Sequence, residues 1–481
     1  MAVTKIEQAP LYNIAPIGQE MMFVVSNDDA VVNQLNVKFV VRIYVSGTTP
    51  PVIADPDDVI GSFKVTPNNA GRGMIDVSTI VGNYVKADNL ASADSQTEFK
   101  TIATTDSEPH PIHLIDEYSL SDNSVRHLAI RFSVEYLNTS NNTVEEDTGT
   151  RIASAEYKVF NGYLKSTDIK YVGNTGATKA GWFGYDLSAF EPLDDEKKFL
   201  TNAPTTQYAN GGDYGTLAFL TTSEDMAAYG YNAQFKYYDS GGVYRGEDNA
   251  TRKYSAGAYN TWTADASEQL LYFGCFPGNL RNWASNFKTL YDAGTLDGGH
   301  YTIQLLSTTA TGNIETTQKY TIHLNCPDTK GYESIRLTWL NQWGVWDYYT
   351  FTKKSIRKTS TKGTTYNQLG GSWNGSMYTP YSYKGGTKTF RVNATETITI
   401  NTDFVSEDDT VMFEELTNSP EIYMLDSYKD TVAAGITTEL LNEYVTPVRL
   451  KSSSFTKKTI ANDRLMQYTF EVEKSQTLRT Q

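Results

Sequence analysis

The run VKFVVRIYV, from Val37 to Val45, decides the fold class. Val37, Phe39, Val41, Ile43 and Val45 are apolar at every second position, with Lys38, Arg42 and Tyr44 between them. A two-residue period places alternate side chains on opposite faces of a strand, one row toward a core and the other toward water. Leu128, Ile130, Phe132, Val134 and Tyr136 repeat the pattern opposite His127, Arg131, Ser133 and Glu135. Met466, Tyr468, Phe470 and Val472 repeat it again near the end. Tyr301, Ile303 and Leu305, then TATGNI, then Tyr320, Ile322 and Leu324 read as a hairpin with a moderately long loop. Half-buried alternation is the mark of antiparallel sheet, because strands of parallel sheets are apolar on both faces.

Composition points the same way. The 481 residues include 33 Tyr and 35 Gly against 9 Met, a balance suited to strands and turns. At ~100–200 residues per domain the length suggests about two to four domains. Loop-like composition at 166–184 and at 326–334 divides the chain into 1–165, 166–326 and 327–481. The expected fold class is mainly β: multi-domain antiparallel β-sandwiches with a few short flanking helices. One helix is expected near 77–85, capped by Asp76, with Val77, Ile80, Val81 and Tyr84 on one face. A second is expected near 407–416, with Ser406 as cap ahead of Glu407, Asp408 and Asp409. A third, LRNWASNFKTLYDAG, aligns Leu280, Trp283, Phe287 and Leu290.

Charge and cysteine narrow the function classes. With 41 basic and 56 acidic residues the net charge is −15, which argues against a general nucleic-acid binder. Cys275 and Cys326 are the only cysteines, so a disulfide framework is excluded; two free thiols are expected, with a single bridge between them as the alternative. No apolar run approaches the ~18 residues of a membrane helix, and the first residues lack the layout of a signal peptide.

The sequence carries no recognisable catalytic motif. HPIHLIDE, with His110, His113, Asp116 and Glu117, is the densest metal-type cluster. Pro109 and Pro111 oppose a helix there, and in an extended segment positions 110 and 113 face opposite ways. No G-x-S-x-G elbow, H-E-x-x-H helix or P-loop occurs. No catalytic residue, cofactor or metal is expected, and the chain is not expected to be an enzyme.

Aromatic residues carry more information. TWLNQWGVWDYYTFTKK holds Trp339, Trp343, Trp346 and Tyr348; GSWNGSMYTPYSYKGG holds Trp373, Tyr378, Tyr381 and Tyr383. Tyr and Trp give large, stiff contact area with a polar handle, which suits protein interfaces and sugar stacking alike. The first cluster reads equally as sandwich core, the second as an exposed loop. QFKYYDSGGVYRG adds Tyr237, Tyr238 and Tyr244. Lys353, Lys354 and Arg357 follow the tryptophans, with Lys451, Lys457, Lys458 and Arg464 later. They read either as a docking surface for an acidic neighbour or as solubilising strand residues.

Several phrases resemble structural proteins of tailed-phage virions, especially crAss-like and related phages of Bacteroidetes hosts. They include FVVRIYVSG, IGSFKVTPNNAGRGMIDVSTIVGNYV and PIHLIDEYS, then KFLTNAP with DYGTLAFL, and finally WLNQWGVWDYYTFTKKS, TNSPEIYML and NDRLMQYTFEVE. The resemblance implies a tail or neck component (a ring, hub, baseplate or fibre-attachment subunit) built from β-sandwich modules and working as a symmetric multimer. Its implied partners are other virion proteins and further copies of itself, with DNA only as a passing neighbour. It would be made in the host cytoplasm and reside in the virion. The alternative is a tail-fibre or adhesin module for a host-surface glycan or receptor, with the loop from Trp373 to Tyr383 stacking on sugars.

Overall fold

In a computed structural model the described residues are 1–47, 51, 53, 59–91, 111–115, 118–165, 168, 170–172, 182–184, 187–190, 192, 195–220, 230–253, 270–309, 312–324, 331–373, 375–426, 444–451, 456 and 466–476. The chain forms two units. Among these residues the first unit takes those of Met1–Cys326 with Leu340–Asp347, and the second those of Pro327–Trp339, Tyr348–Asp426 and Asn442–Gln481.

The first unit begins with a small sheet ordered Lys5–Gln8, Met22–Ser26, Arg72–Asp76. Its Phe23, Val25 and Ile75 join Phe39, Val41, Ile43, Leu128, Ile130, Phe132 and Val134 of a six-stranded sheet in one apolar core. That larger sheet runs Ile14–Pro16, Tyr157–Phe160, Val125–Asn138, Leu35–Ser46, Val59–Val65, with Thr143–Ala153 also paired to Val125–Asn138. The apolar row of the opening run is therefore the core row, half-buried only at Val37.

The opposite face is not open water, as alternation alone would have it. Val40 and Tyr44 are buried as well. Arg131 lies 5.3 Å over the Tyr44 ring, and Arg42 forks onto Glu146 at 2.7 and 2.5 Å while Ser133 Oγ donates to the same carboxylate at 2.7 Å. The Arg42 fork holds the Glu146 carboxyl down at about 2 against the opposing effect of burial. Nor is the sheet wholly antiparallel: Lys158–Phe160 runs parallel to Ile14–Pro16, and Thr206–Ala209 to Thr321–Leu324.

A second pair of sheets completes this unit. One runs Thr206–Ala209, Tyr320–Leu324, His300–Thr309, Gly230–Tyr238, Tyr244–Lys253, with Gly312–Glu315 on His300–Thr309. The expected hairpin is there, with that short strand inside its loop. The other sheet runs Thr216–Leu220, Leu270–Gly274, Tyr118–Leu120. Residues that sequence assigns to 1–165 and to 166–326 thus share one sheet. Tyr118 Oη reinforces this, donating to Ala250 O at 2.7 Å and accepting the Ala233 N–H at 3.0 Å.

The helices are short, and all three that the sequence predicts differ from expectation; the first has Val77, not Asp76, as its N-cap. Ser78–Val81 continues as a tight turn over Gly82–Tyr84, with the Asp76 carboxylate accepting the Ser78 N–H at 3.0 Å. The third expected helix is two, Pro277–Trp283 and Ser285–Asp292, because Ala284 is extended (φ −79°, ψ 96°). The carboxylate of Asp248, brought in from another strand, accepts the N–H of Phe287 at 2.9 Å and starts the second helix anew.

The second unit is a seven-stranded sheet ordered Trp346–Phe351, Ile335–Leu340, Ile422–Leu425, Val445–Leu450, Thr469–Lys474, Gly386–Asn401, Ile356–Gln368. Its helix is Thr410–Asn418, starting later than expected. Ser406 does not cap it: Asp409 accepts the Ser406 N–H and O–H at 2.7 and 2.9 Å instead. Phe413 of this helix meets Tyr349 at 4.9 Å and Phe470 at 5.8 Å between ring centres, anchoring the helix on the sheet.

Candidate protein-interaction site

The candidate residues fall on two successive hairpins. The first joins Ile335–Leu340 to Trp346–Phe351. Trp339, Trp343, Trp346 and Tyr348 are all buried, with at most 4% of their surface exposed. Asn341 shapes the connection, accepting the N–H of Trp343 at 3.0 Å and of Val345 at 3.3 Å while donating to Leu200 O at 2.9 Å. Trp343 packs on Phe190 at 4.7 Å. Trp346 stands edge-on to His113 at 4.9 Å and donates Nε1–H to Asp88 O at 2.8 Å. Arg336 lies 5.2 Å over the Tyr348 ring. These four side chains are packing groups with no surface to offer a partner.

Asp88 was not singled out by sequence. Its carboxylate is fully buried and accepts the hydroxyls of Ser121 and Ser124 at 2.7 Å each and the Asn123 N–H at 2.7 Å. It is a structural knot, satisfied from several directions. Asp347 is buried too, and burial pushes its carboxyl up to about 6 although Thr201 Oγ1 donates to it at 2.5 Å.

The second hairpin is the reverse case. Ile356–Gln368 pairs with Gly386–Asn401 along its whole length, whereas Thr469–Lys474 flanks only Thr397–Asn401. From the Thr359/Glu396 pair to the Gln368/Gly386 pair, 10 residues of the first strand have, among the described residues, only the other strand paired beside them. That is a two-stranded arm about 33 Å long at ~3.3 Å per residue. Its first strand is exposed throughout, save half-covered Gln368. Thr and β-branched residues favour the strand, while no apolar row exists to bury.

At the end of the arm a ribbon pairs Gly371–Trp373 with Tyr378–Pro380, placing Trp373 across from Tyr378. Gly371 permits this closeness, since a Cβ there would stand 2.2 Å from Thr379 O. Trp373 and Tyr383 are 67% and 70% exposed, Tyr378 is exposed and Tyr381 half-buried. Lys384 lies 5.0 Å over the Tyr381 ring and 5.9 Å over that of Tyr383. Phe390 is 73% exposed, edge-on to Tyr366 at 6.4 Å. Sequence reasoning did not include Phe390, Lys388 or Arg391.

The expected basic residues divide. Lys353 pairs with Asp403 at 2.9 Å, and Arg357 with Glu333 at 2.5 Å and Glu396 at 3.0 Å. Lys451 pairs with Glu473 at 2.8 Å. The Lys354 carbonyl accepts from Asn401 at 2.7 Å. These residues stitch the base of the arm to the sheet. Lys457, Lys458 and Arg464 lie outside the described residues, as do His110, Asp116, Glu117 and Cys326. Cys275 is buried, and its Sγ–H donates to Gly215 O at 3.8 Å. Among the described residues no three metal-type side chains gather, and no helix is long and apolar enough to cross a membrane.

One further surface feature depends on register. Tyr208, His323, His300, Tyr238 and Tyr244 come from five adjacent strands and line up across the sheet. Their ring centres are 5.3, 5.2, 4.9 and 5.9 Å apart in that order. Burial and the nearby His323 hold the His300 imidazole below its ordinary range. Tyr238 stacks on His300 at 9° and Tyr208 on His323 at 26°, while the two imidazoles are tilted by 38°.

No protein-family model matches the chain. No curated protein matches it either. Two solved structures of Salmonella alpha-2-macroglobulin, one reacted with methylamine and one a point mutant, are similar at 9% and 8% identity, both with a TM-score of 0.16. They cover 97% and 98% of this chain, which spans only 22% and 37% of theirs. At that level the likeness carries no argument about this protein.

Proposed function

We propose that the chain is a non-enzymatic structural subunit that works through protein–protein contacts, in the tail or neck of a tailed-phage virion. The observation that carries the contact-based role is the arm. An isolated two-stranded hairpin is marginal in water, and free edges are pairing sites unless blocked, so such an element is made to be covered. The exposed rings at its end are the residue types that anchor interfaces. The virion setting rests on the sequence phrases given above. Within it, a ring, hub or baseplate subunit made in the host cytoplasm fits a β-rich chain with a reaching arm.

Cryo-electron microscopy of the native particle tests this reading. The expected result is density for this chain in the tail or neck, its arm lying on a neighbour. Absence of the chain from purified particles overturns it. A second reading, a glycan- or receptor-binding fibre module, draws on the exposure of Trp373 opposite Tyr378. Glycan-array binding that disappears in Trp373→Ala selects that reading.

A further inference from the structure

The charge of the arm identifies what covers it. Between Asp347 and Glu396 the chain has eight Lys and Arg residues and neither Asp nor Glu. Lys353 and Arg357 are engaged at the base with Asp403, Glu333 and Glu396. Farther out, cross-strand pairing puts Lys358, Ser360, Lys362 and Thr364 on one face with Thr397, Thr395, Asn393 and Arg391. Lys358, Lys362 and Arg391 are all exposed, so that face is basic. The other face carries Thr359, Thr361, Glu396, Ala394 and Val392. Residues 1–326, by contrast, hold 23 basic and 38 acidic side chains, a net −15, while 327–481 hold 18 of each. Every copy of the chain therefore brings a basic arm and a strongly acidic body.

We propose that the arm of one copy docks its basic face on the acidic surface of residues 1–326 of a second copy, with the rings at the tip as anchors. This rests on the contact-based function proposed above and names its partner. Two arms meeting face to face would set like charge on like charge, so the contact joins different patches. Such a heterologous contact leaves each bound copy with its own arm free for the next, and it closes into a ring or continues as a filament. A nucleic-acid strand is the competing occupant for a basic, ring-bearing arm. The −15 body disfavours it by repelling a polyanion brought alongside.

The test uses the full chain and the triple variant Lys358→Glu, Lys362→Glu, Arg391→Glu, with circular dichroism to verify that the variant folds. Mass photometry at low and high salt is expected to show wild-type oligomers that dissociate with salt. In the variant, self-association should weaken by on the order of tenfold or more. Mixed with labelled wild type, the variant should still be bound, because its acidic body is intact. A wild-type chain that stays monomeric, or a variant that assembles like wild type, overturns the proposal. So does arm-dependent binding of a single-stranded oligonucleotide without self-association. A chain that is monomeric yet present in the native particle overturns this inference alone. Arm-dependent oligomers absent from particles overturn the virion setting alone.

Discussion

Two hairpins follow each other in the chain, Ile335–Phe351 and Ile356–Asn401, and both are marked by clustered aromatic rings. In the first all the rings but half-buried Tyr349 are interior; in the second all but half-buried Tyr381 stand in solvent. What differs is the company they keep. Leu337, Leu340, Val345 and Phe351 sit among the first set, and its charged Arg336 and Asp347 have partners in Thr350 and Thr201. The second set is separated by Gly, Thr, Ser and Lys, which supply strand propensity without an apolar face. Ring density alone thus predicts neither core nor interface; the residues between the rings decide.

The largest effect is expected from truncating the buried hairpin. Trp339→Ala is expected to cost ~3–5 kcal/mol in chemical denaturation, the usual range for emptying a large aromatic site. A loss below about 1 kcal/mol would mean that the hairpin is not core. Gly344→Ala comes next. Gly344 has φ +71°, and a Cβ there would stand 1.8 Å from Asn161 O, so the turn must distort. An expected loss of about 1–3 kcal/mol, seen in the unfolding midpoint, tests whether the turn is as tightly fixed as the strands.

Asp347 offers a sharper probe with a definite sign. Its folded carboxyl, at about 6, lies above the ordinary 3.8, so the folded state binds the proton more tightly. Stability should therefore fall as pH rises from about 4 toward about 6 and change little above. Urea midpoints across that window should show the slope in wild type and its flattening in Asp347→Asn. The smallest effects belong to the arm. Trp373→Ala and Lys358→Ala should leave stability within ~0.5 kcal/mol, as exposed sites do. A large loss in either would show that the arm is packed against its own chain.

Much of the fold was legible because strand alternation is a local property. The rows Phe39, Val41, Ile43 and Met466, Tyr468, Phe470, Val472 are buried as read. Errors arose where a distant residue intervened. Asp248 restarts a helix that periodicity made continuous, and Ser406, expected to accept an N–H at the start of its helix, instead donates its own N–H and O–H to Asp409. Tyr118–Leu120 pairs with Leu270–Gly274 across some 150 residues, which no local composition signals.

The candidate site shows the same division. The exposed loop with Trp373, Tyr378 and Tyr383 was visible from its glycines and tyrosines. The bare strands beneath it were not, because Thr-rich alternation reads alike in an edge strand and in an arm. The cross-sheet row of Tyr208, His323, His300, Tyr238 and Tyr244 exists only through register, and its members lie far apart in sequence.

The β class, the turn-rich character and the placement of basic charge after Trp339 are local features of the chain, since period and composition are properties of neighbouring residues. Which aromatic hairpin is core and which is arm emerges in three dimensions. That choice depends on whether a third strand and a second layer arrive to cover the rings, and those come from elsewhere in the chain. The same structure showed that Lys353 and Arg357 are neutralised at the base while Lys358, Lys362 and Arg391 are left exposed on one face. Coulomb attraction is settled by distance in space, which the order of residues does not reveal.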